Sequence, residues 1–456
     1  MGWRSRSFLL LAGVGSISTL LYFANFRLAS FLQYLGIINL DRGALAAYPY
    51  LFFPLFAIYG VALAVVFWKR SGPPYLGLIL GFALLFRVAL FFSPLVLSSD
   101  IYRYIWDGRV QAAGISPYLY PPSAQEVASL RDEQIFPHIN RPEARTIYPP
   151  GAQMFLAVNA TLFPDSITAF KAGMILFDVA TILLILLLLK KSGLRSDRVL
   201  LYAWSPLVIF ELAGSGHLEV LMLPFVLLAL LLRMNGKPTL SGMTLGIATL
   251  IKLYPVVLLP ALYKRGDKRL PLTFGATILL GYLPYVYGAG DKVLGFLPDY
   301  FGRWEDFNVG LRYFLTLALT SLVPSPRLVA MLCLIALLGT VAVYLARKGE
   351  GKDFLWSAYL MVSAYLLLLP TSFHPWYLIW VLPFLCIYPS WGWLYLSGAI
   401  SLSYLKYVQE PPILPLGIRL VEFLPLYGLL GLQAIWTRFS EARADKVMPL
   451  MMEKTP

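Results

Sequence analysis

Residues 75–109 read YLGLILGFALLFRVALFFSPLVLSSDIYRYIWDGR, an apolar run that gives way abruptly to acids, arginines and tyrosines. The run is long enough to cross a hydrocarbon core, which takes about 20 apolar residues in a helix. It lacks the strict apolar–polar alternation of an outer-membrane barrel strand. Similar runs recur along the chain. Of its 456 residues, 59% are apolar and only 13% charged, and its mean hydropathy is +0.70, which no soluble fold requires. The fold class is therefore all-α, a polytopic transmembrane helical protein. An aromatic content of 15%, much of it Tyr and Trp, suits side chains resting at the two membrane interfaces.

A net charge of +13 could point to nucleic acid, but the positive residues sit in short clusters at loop ends: Arg4/Arg6, Lys69/Arg70, Lys190/Lys191, Lys264/Arg265 and Arg347/Lys348. That is the positive-inside pattern, which fixes orientation and meets anionic membrane lipid; no nucleic-acid partner is implied. Cys333 and Cys386 both fall in apolar runs and read as small core hydrophobes, without a disulfide framework. The opening segment WRSRSFLLLAGVGSISTLLYFANF has the basic start of a signal peptide but is too long and lacks a cleavage-like arrangement. It reads as a retained first helix.

Hydropathy places helices at roughly 8–26, 49–68, 75–97, 167–189, 199–213, 218–233, 270–288, 326–346, 353–370, 376–389, 391–406 and 417–437. Residues 240–263 read as a hairpin of two short helices with KLYP at its tip, because Pro255 interrupts the pattern. The expectation is about 12 to 14 spans. With both termini cytoplasmic, the basic loops WKRSG, KKSGLRSDR, RMNGK, YKRGDKR and ARKGEGK all fall inside. Five polar segments then converge outside: residues 98–166, GSGHLE at 214–219, the loop from 289, TSFHPWY at 371–377, and KYVQEPPILP. Residues 148–164 and 310–326 fit as interfacial or re-entrant elements. The chain divides into a single membrane domain, 1–456, carrying an extracytoplasmic catalytic loop with surface helices at 98–166 and a second outer loop at 289–325.

If SDIYRYIWDGR forms a surface helix, Asp100, Arg103, Tyr104 and Asp107 share one face, with Arg109 following. Both carboxylates would then point into the same space with a guanidinium between them. An acid just beyond an apolar helix can be half desolvated and so tuned for general-base work. The plainer reading is that Ser99 or Asp100 caps the helix. Other outer segments supply complementary groups: His217 and Glu219, then His374, Trp376 and Tyr377. A lone interfacial histidine is as often structural as functional. Lys252 lies at a helix break in an apolar hairpin, where an intramembrane cation needs a partner; a phosphate suits, and snorkelling to the interface is the alternative. Arg303, in PDYFGRWEDFNVGLR, lies in a loop able to clamp a phosphate or sugar, or in an ordinary amphipathic surface loop. Carboxylates and aromatic planes suit sugars, and cations suit a phosphate leaving group. Without a Walker loop or cytosolic nucleotide domain, a lipid-linked phosphosugar is a better donor than a nucleotide sugar.

The strings SDIYRYIWDGRVQAAGISPYLY, TIYPPGAQMFL, GHLEVLMLPF, IKLYPVVLLPAL and FHPWYLIWVLPF resemble the bacterial branch of the GT-C integral-membrane glycosyltransferases. The likeness is in particular to polyprenol-phosphate-mannose-dependent α-mannosyltransferases and more distantly to the enzyme adding the first mannose of GPI anchors, over roughly residues 90–385. The resemblance implies a large first catalytic loop, and an acid there that deprotonates an acceptor hydroxyl as it attacks a polyprenyl-phosphate sugar with inversion. On this chain the base falls on Asp100, Arg103 and Asp107 complete its motif, and Lys252, Arg303 or His374 serve the phosphate. Related enzymes often show two acids separated by one residue; Ser98 replaces the first here. That departure speaks against an obligatory divalent metal, and no cofactor is expected.

The expected reaction is transfer of a hexose, mannose by the resemblance, from a polyprenyl-phosphate donor to a glycan or glycolipid acceptor on the extracytoplasmic face. Compact loops favour a bacterial or archaeal plasma membrane. A transporter or lipid-sugar flippase is the alternative and calls for ionisable residues midway along several helices. Apart from Asp178, Glu211, Glu422 and Lys252, the charges concentrate at interfaces. A non-catalytic scaffold would leave the polar outer loops without a purpose.

Overall fold

The computed structural model describes residues 3–37, 44–68, 75–302, 307–348, 354–408 and 412–452. The principal helices among them are α1 (Trp3–Tyr34), α2 (Tyr48–Trp68), α3 (Leu76–Phe91), α4 (Asp100–Ala112), α5 (Pro150–Leu162), α6 (Ile167–Lys191) and α7 (Glu219–Met234). After these come α8 (Pro238–Ile251), α9 (Arg269–Ala289), α10 (Leu311–Leu319), α11 (Pro326–Lys348), α12 (Phe354–Leu368), α13 (Trp391–Ala399) and α14 (Leu416–Met452). The described residues form no strand, only an isolated bridge between Phe307 and Ser372.

Six helices, lying in α1, α2, α6, α9, α11 and α14, are long and apolar enough to cross a membrane on their own. The chain is thus a multi-pass membrane protein, but most of the other expected spans are short or broken. The shorter apolar helices are α3, α8 and α12. The expected helix over 199–213 stops at Trp204, restarts at Pro206 and widens into a π-helix over Ile209–Gly214. This piece and α7 qualify as one span only if joined across a 119° bend. The expected helix over 376–389 is a 3-10 turn, Pro375–Trp380, then a short Leu382–Leu385 turn, because Pro383 lacks the N–H that a continuing helix needs. The last, over 391–406, passes at Ala399 into a 3-10 stretch, Ile400–Val408, where Ser403 donates to the Ile400 carbonyl three residues back.

Small residues and buried ion pairs hold these pieces together. α7 packs on α6 and α8, and α8 packs on α9. Gly242 and Gly246, one turn apart on α8, let α9 approach: a Cβ on Gly242 would lie 2.3 Å from the Leu270 carbonyl oxygen, and one on Gly246 2.7 Å from the Thr277 Cβ. Arg87 of α3 pairs with Asp178 of α6, while its Nη1 reaches the Ala203 carbonyl at 2.9 Å and Tyr202 donates to Asp178 at 2.8 Å. Lys171 is buried against the carbonyls of Leu90 and Ser93. The interior therefore holds more charge than the sequence reading counted, and each of these charges has a partner, as low dielectric demands. Both cysteines are free; Cys386 is buried as expected, but Cys333 is exposed on α11, on the apolar outer surface rather than in the core.

Candidate active site

The ends of several helices surround an open cavity of about 1040 Å³. Its wall draws on residues within 95–102, 138–149, 252–254, 296–300, 365–380 and 404–407 and on Phe307, so four of the five segments expected on one side of the membrane meet at one place, and residues 214–219 do not line it. Asp100 opens α4 at this wall. Ser99 precedes the helix without a side-chain capping bond, and the Asp100 amide donates to Ser98 Oγ at 3.2 Å. The carboxylate is thus not spent on a cap. Its Oδ1 accepts from Asn140 Nδ2 at 2.6 Å, its Oδ2 lies 3.7 Å from His217 Nδ1, and the side chain is 18% exposed.

The structure corrects the idea that both carboxylates of this helix share one space. Seven residues along a helix separate Asp107 from Asp100 by about 10 Å of rise, and Asp107 is only 2% exposed. It accepts from Arg103 Nε at 2.9 Å, Thr146 Oγ1 at 2.5 Å and Gln153 Nε2 at 3.0 Å. Arg103 also donates to the Ala144 carbonyl at 2.9 Å. The pair therefore fastens the returning loop to α4 and lies off the cavity wall. Tyr104 is buried, edge-on to Tyr148 at 5.1 Å and stacked on Phe170 at 5.6 Å. Arg109 pairs with Asp132 at 2.6 Å and Asp165 at 2.8 Å on the far side of the loop. Partial burial opposes ionisation of Asp132, but bonds from Arg109 and the amides of Ile135 and Phe136 outweigh it and hold its carboxyl down at about 2.

Lys252, released from α8 into extended backbone, lines the cavity 5.1 Å over the Tyr148 ring. Its partner within the protein is Glu219, at 2.9 Å. Glu219 and His217 come from the turn between the two helices of the bent pair, where Gly216 adopts φ +72°, a conformation that glycine takes without strain. His217 is fully buried behind Asp100, with Glu211 Oε2 3.3 Å from its Nε2 and the Trp376 ring stacked on it at 4.0 Å. His374 is stacked between Trp376, at 4.4 Å, and Phe307, at 4.5 Å. Burial, offset only in part by Asp100, pushes its imidazole down to about 3, so it meets a ligand as a neutral group. Trp376 and Tyr377 face the cavity. Arg303 lies outside the described residues, as do the neighbouring Glu305 and Asp306.

Sequence reasoning passed over several groups on the same wall. His138 and Asn140 come from a 3-10 turn and the loop after it, with the His138 ring tilted against Tyr102 at 4.8 Å. Arg141 also faces the cavity, and Lys406 sits 4.9 Å over the Phe307 ring. The only signal for the first three was the polar string FPHINRP. Asn308 donates to Glu422 at 2.7 Å, and Arg312 to the Thr371 carbonyl at 2.9 Å, which holds the 307–312 segment beside the cavity. Among the described residues, no group of three or more His, Cys, Asp or Glu side chains is arranged to hold a metal ion.

A family model described as Alpha-(1->6)-mannopyranosyltransferase, N-terminal domain, matches residues 18–264, more than half of the chain. The match takes in Asp100, His217, Glu219 and Lys252 and ends before His374 and Trp376. Comparison with curated proteins gives no match.

Proposed function

Since the chain belongs to the alpha-(1->6)-mannopyranosyltransferase family and is a membrane-embedded mannosyltransferase, we propose that its donor is a polyprenyl-phosphate mannose and that the sugar is transferred with inversion at the extracytoplasmic face. Asp100 is the general base. The acceptor hydroxyl oxygen forms a bond to the anomeric carbon as the bond from that carbon to the phosphate oxygen breaks. The acceptor proton passes to Asp100, and polyprenyl phosphate leaves with the bonding electron pair. The acceptor is a glycan or glycolipid.

The observation that carries this reading is the placement of Asp100. It is the carboxylate of α4 that reaches the cavity, and Lys252, Arg141 and Lys406 line the same space. Cations of this kind suit a phosphate in the ground state and after it has left. Trp376, Tyr377 and Trp380 supply flat faces for sugar rings. The transfer is read as independent of an obligatory metal, and of any cofactor, on the strength of Ser98 standing where a second acid would.

Purified enzyme with radiolabelled polyprenyl-phosphate mannose and a crude lipid and glycan acceptor extract provides the test. Wild type should label acceptor, the product anomer should be opposite to the donor's, and activity should survive EDTA. Asp100→Asn should lower kcat by at least about 100-fold, the scale of lost general-base assistance, while folding normally. Substantial transfer by that variant would remove Asp100 from the role of base.

A further inference from the structure

Two side chains behind the cavity have no role in the reaction just described. His217 and Glu211 are both fully buried, and neither lines the cavity. They stand in file with Asp100: Asp100 Oδ2 lies 3.7 Å from His217 Nδ1, and His217 Nε2 lies 3.3 Å from Glu211 Oε2. The file ends at Tyr404, whose hydroxyl donates to Glu211 Oε1 at 2.8 Å. Glu211 is carried on the π-helical turn Ile209–Gly214, a local widening that recurs at functional sites. The bend that follows delivers His217 to the back of Asp100, and Trp376 fixes the ring plane.

A neutral imidazole has one N–H and one bare lone pair, so it can serve one carboxylate but must repel the other. With carboxylate oxygens facing both nitrogens, the arrangement is satisfied when both are protonated. The charged groups around the ring agree: Asp100 from α4, Glu211 from the π-turn and Glu219 from α7. Lys171 passes near Gly216, where an added Cβ would lie 3.7 Å from its Cγ, but its ammonium is engaged by the Leu90 and Ser93 carbonyls. Lys252 lies beyond Glu219, and His374 on the other face of Trp376. We propose that His217, held as an imidazolium by Glu211, is a positioning residue that keeps Asp100 ionised and aimed at the acceptor hydroxyl while an anionic phosphate occupies the same cavity. A phosphate arriving near a carboxylate favours protonation of that carboxylate, and a fixed cation behind it opposes the change. This inference rests on the reading of Asp100 as the base.

The test compares kcat and KM from pH 5.5 to 10, with polyprenyl-phosphate mannose, for full-length wild type, His217→Gln, Glu211→Gln and Asp100→Asn. Wild-type kcat should fall on the alkaline side, where His217 loses its proton. Glu211→Gln removes the carboxylate that favours the charged ring, so its alkaline fall should move to lower pH by about one unit or more. His217→Gln should lower kcat about 10-fold or more, lose the alkaline fall, and leave KM for the donor within about twofold, since the residue does not touch it. If both variants keep the wild-type alkaline limb, His217 has only a structural role and the inference is overturned, while an inactive Asp100→Asn leaves the base in place. Transfer surviving in Asp100→Asn overturns both. Should His217→Gln fail to fold, Glu211→Gln, equal in size, decides alone.

Discussion

Asp100 and Asp107 sit two turns apart on one helix, yet their surroundings differ. Asp100 keeps part of its surface in the cavity, whereas Asp107 is enclosed by Arg103, Thr146 and Gln153. Removing one member of a buried pair leaves the other charge uncompensated, typically at a cost of about 3 kcal/mol or more. Asp107→Asn should therefore lower the melting temperature in detergent sharply, and Asp100→Asn should not. A variant at Asp107 that melts like wild type but has lost transfer would return that residue to the reaction. Asp100 was legible in the sequence because an acid at the start of a polar surface helix stands out against apolar flanks. The difference in surroundings was not legible, since it depends on Thr146 and Gln153, some forty residues away, closing over Asp107. His138 was missed for a similar reason. A histidine in a short 3-10 turn carries no periodic signal, and only the path of the loop brings it to the wall.

At the scale of elements, the long uniform helices were readable and the broken ones were not. A run of apolar residues reports length and hydropathy, but not whether the backbone inside it stays α-helical. Pro206 and Pro383 marked the interruptions; the π-turn over Ile209–Gly214 had no marker at all. These irregular pieces are where the site is built, because a helix end frees side chains and backbone that a continuous span would hold against lipid. The bent pair supplies His217 and Glu219, and the break after α8 supplies Lys252. α8, which ends at that break, packs directly on α9. Gly246→Leu would drive a side chain into Thr277, whose Cβ stands 2.7 Å from where the new Cβ must be. Overpacking of this kind costs about 1–3 kcal/mol. The expected outcome is a lower melting temperature together with a raised KM for the donor, as Lys252 is displaced from the cavity. An unchanged melting temperature would mean that the two helices separate freely there.

For the whole molecule, the arrangement of the cavity wall and the distribution of charge make one argument. The segments on that wall lie at the ends of α3, α4 and α8, and the basic pairs Lys190/Lys191 and Lys264/Arg265 are not among the residues that line it. Under the positive-inside rule those basic pairs stay in the cytoplasm. On the proposed orientation the cavity would open outside, where a lipid-linked sugar would reach it from the outer leaflet. Reversing the orientation would carry each basic cluster across the membrane together, so the alternatives are well separated. In a background lacking Cys333 and Cys386, a cysteine at Ser123 in the loop after α4 should react with a membrane-impermeant maleimide on intact cells, and one at Gly266 only after permeabilisation. The opposite pattern would place the cavity on the cytoplasmic side. It would also reopen the choice of donor: a cytoplasmic cavity would be reachable by nucleotide sugars, and the lack of a Walker loop or cytosolic nucleotide domain would be the sole argument left for a lipid-linked sugar.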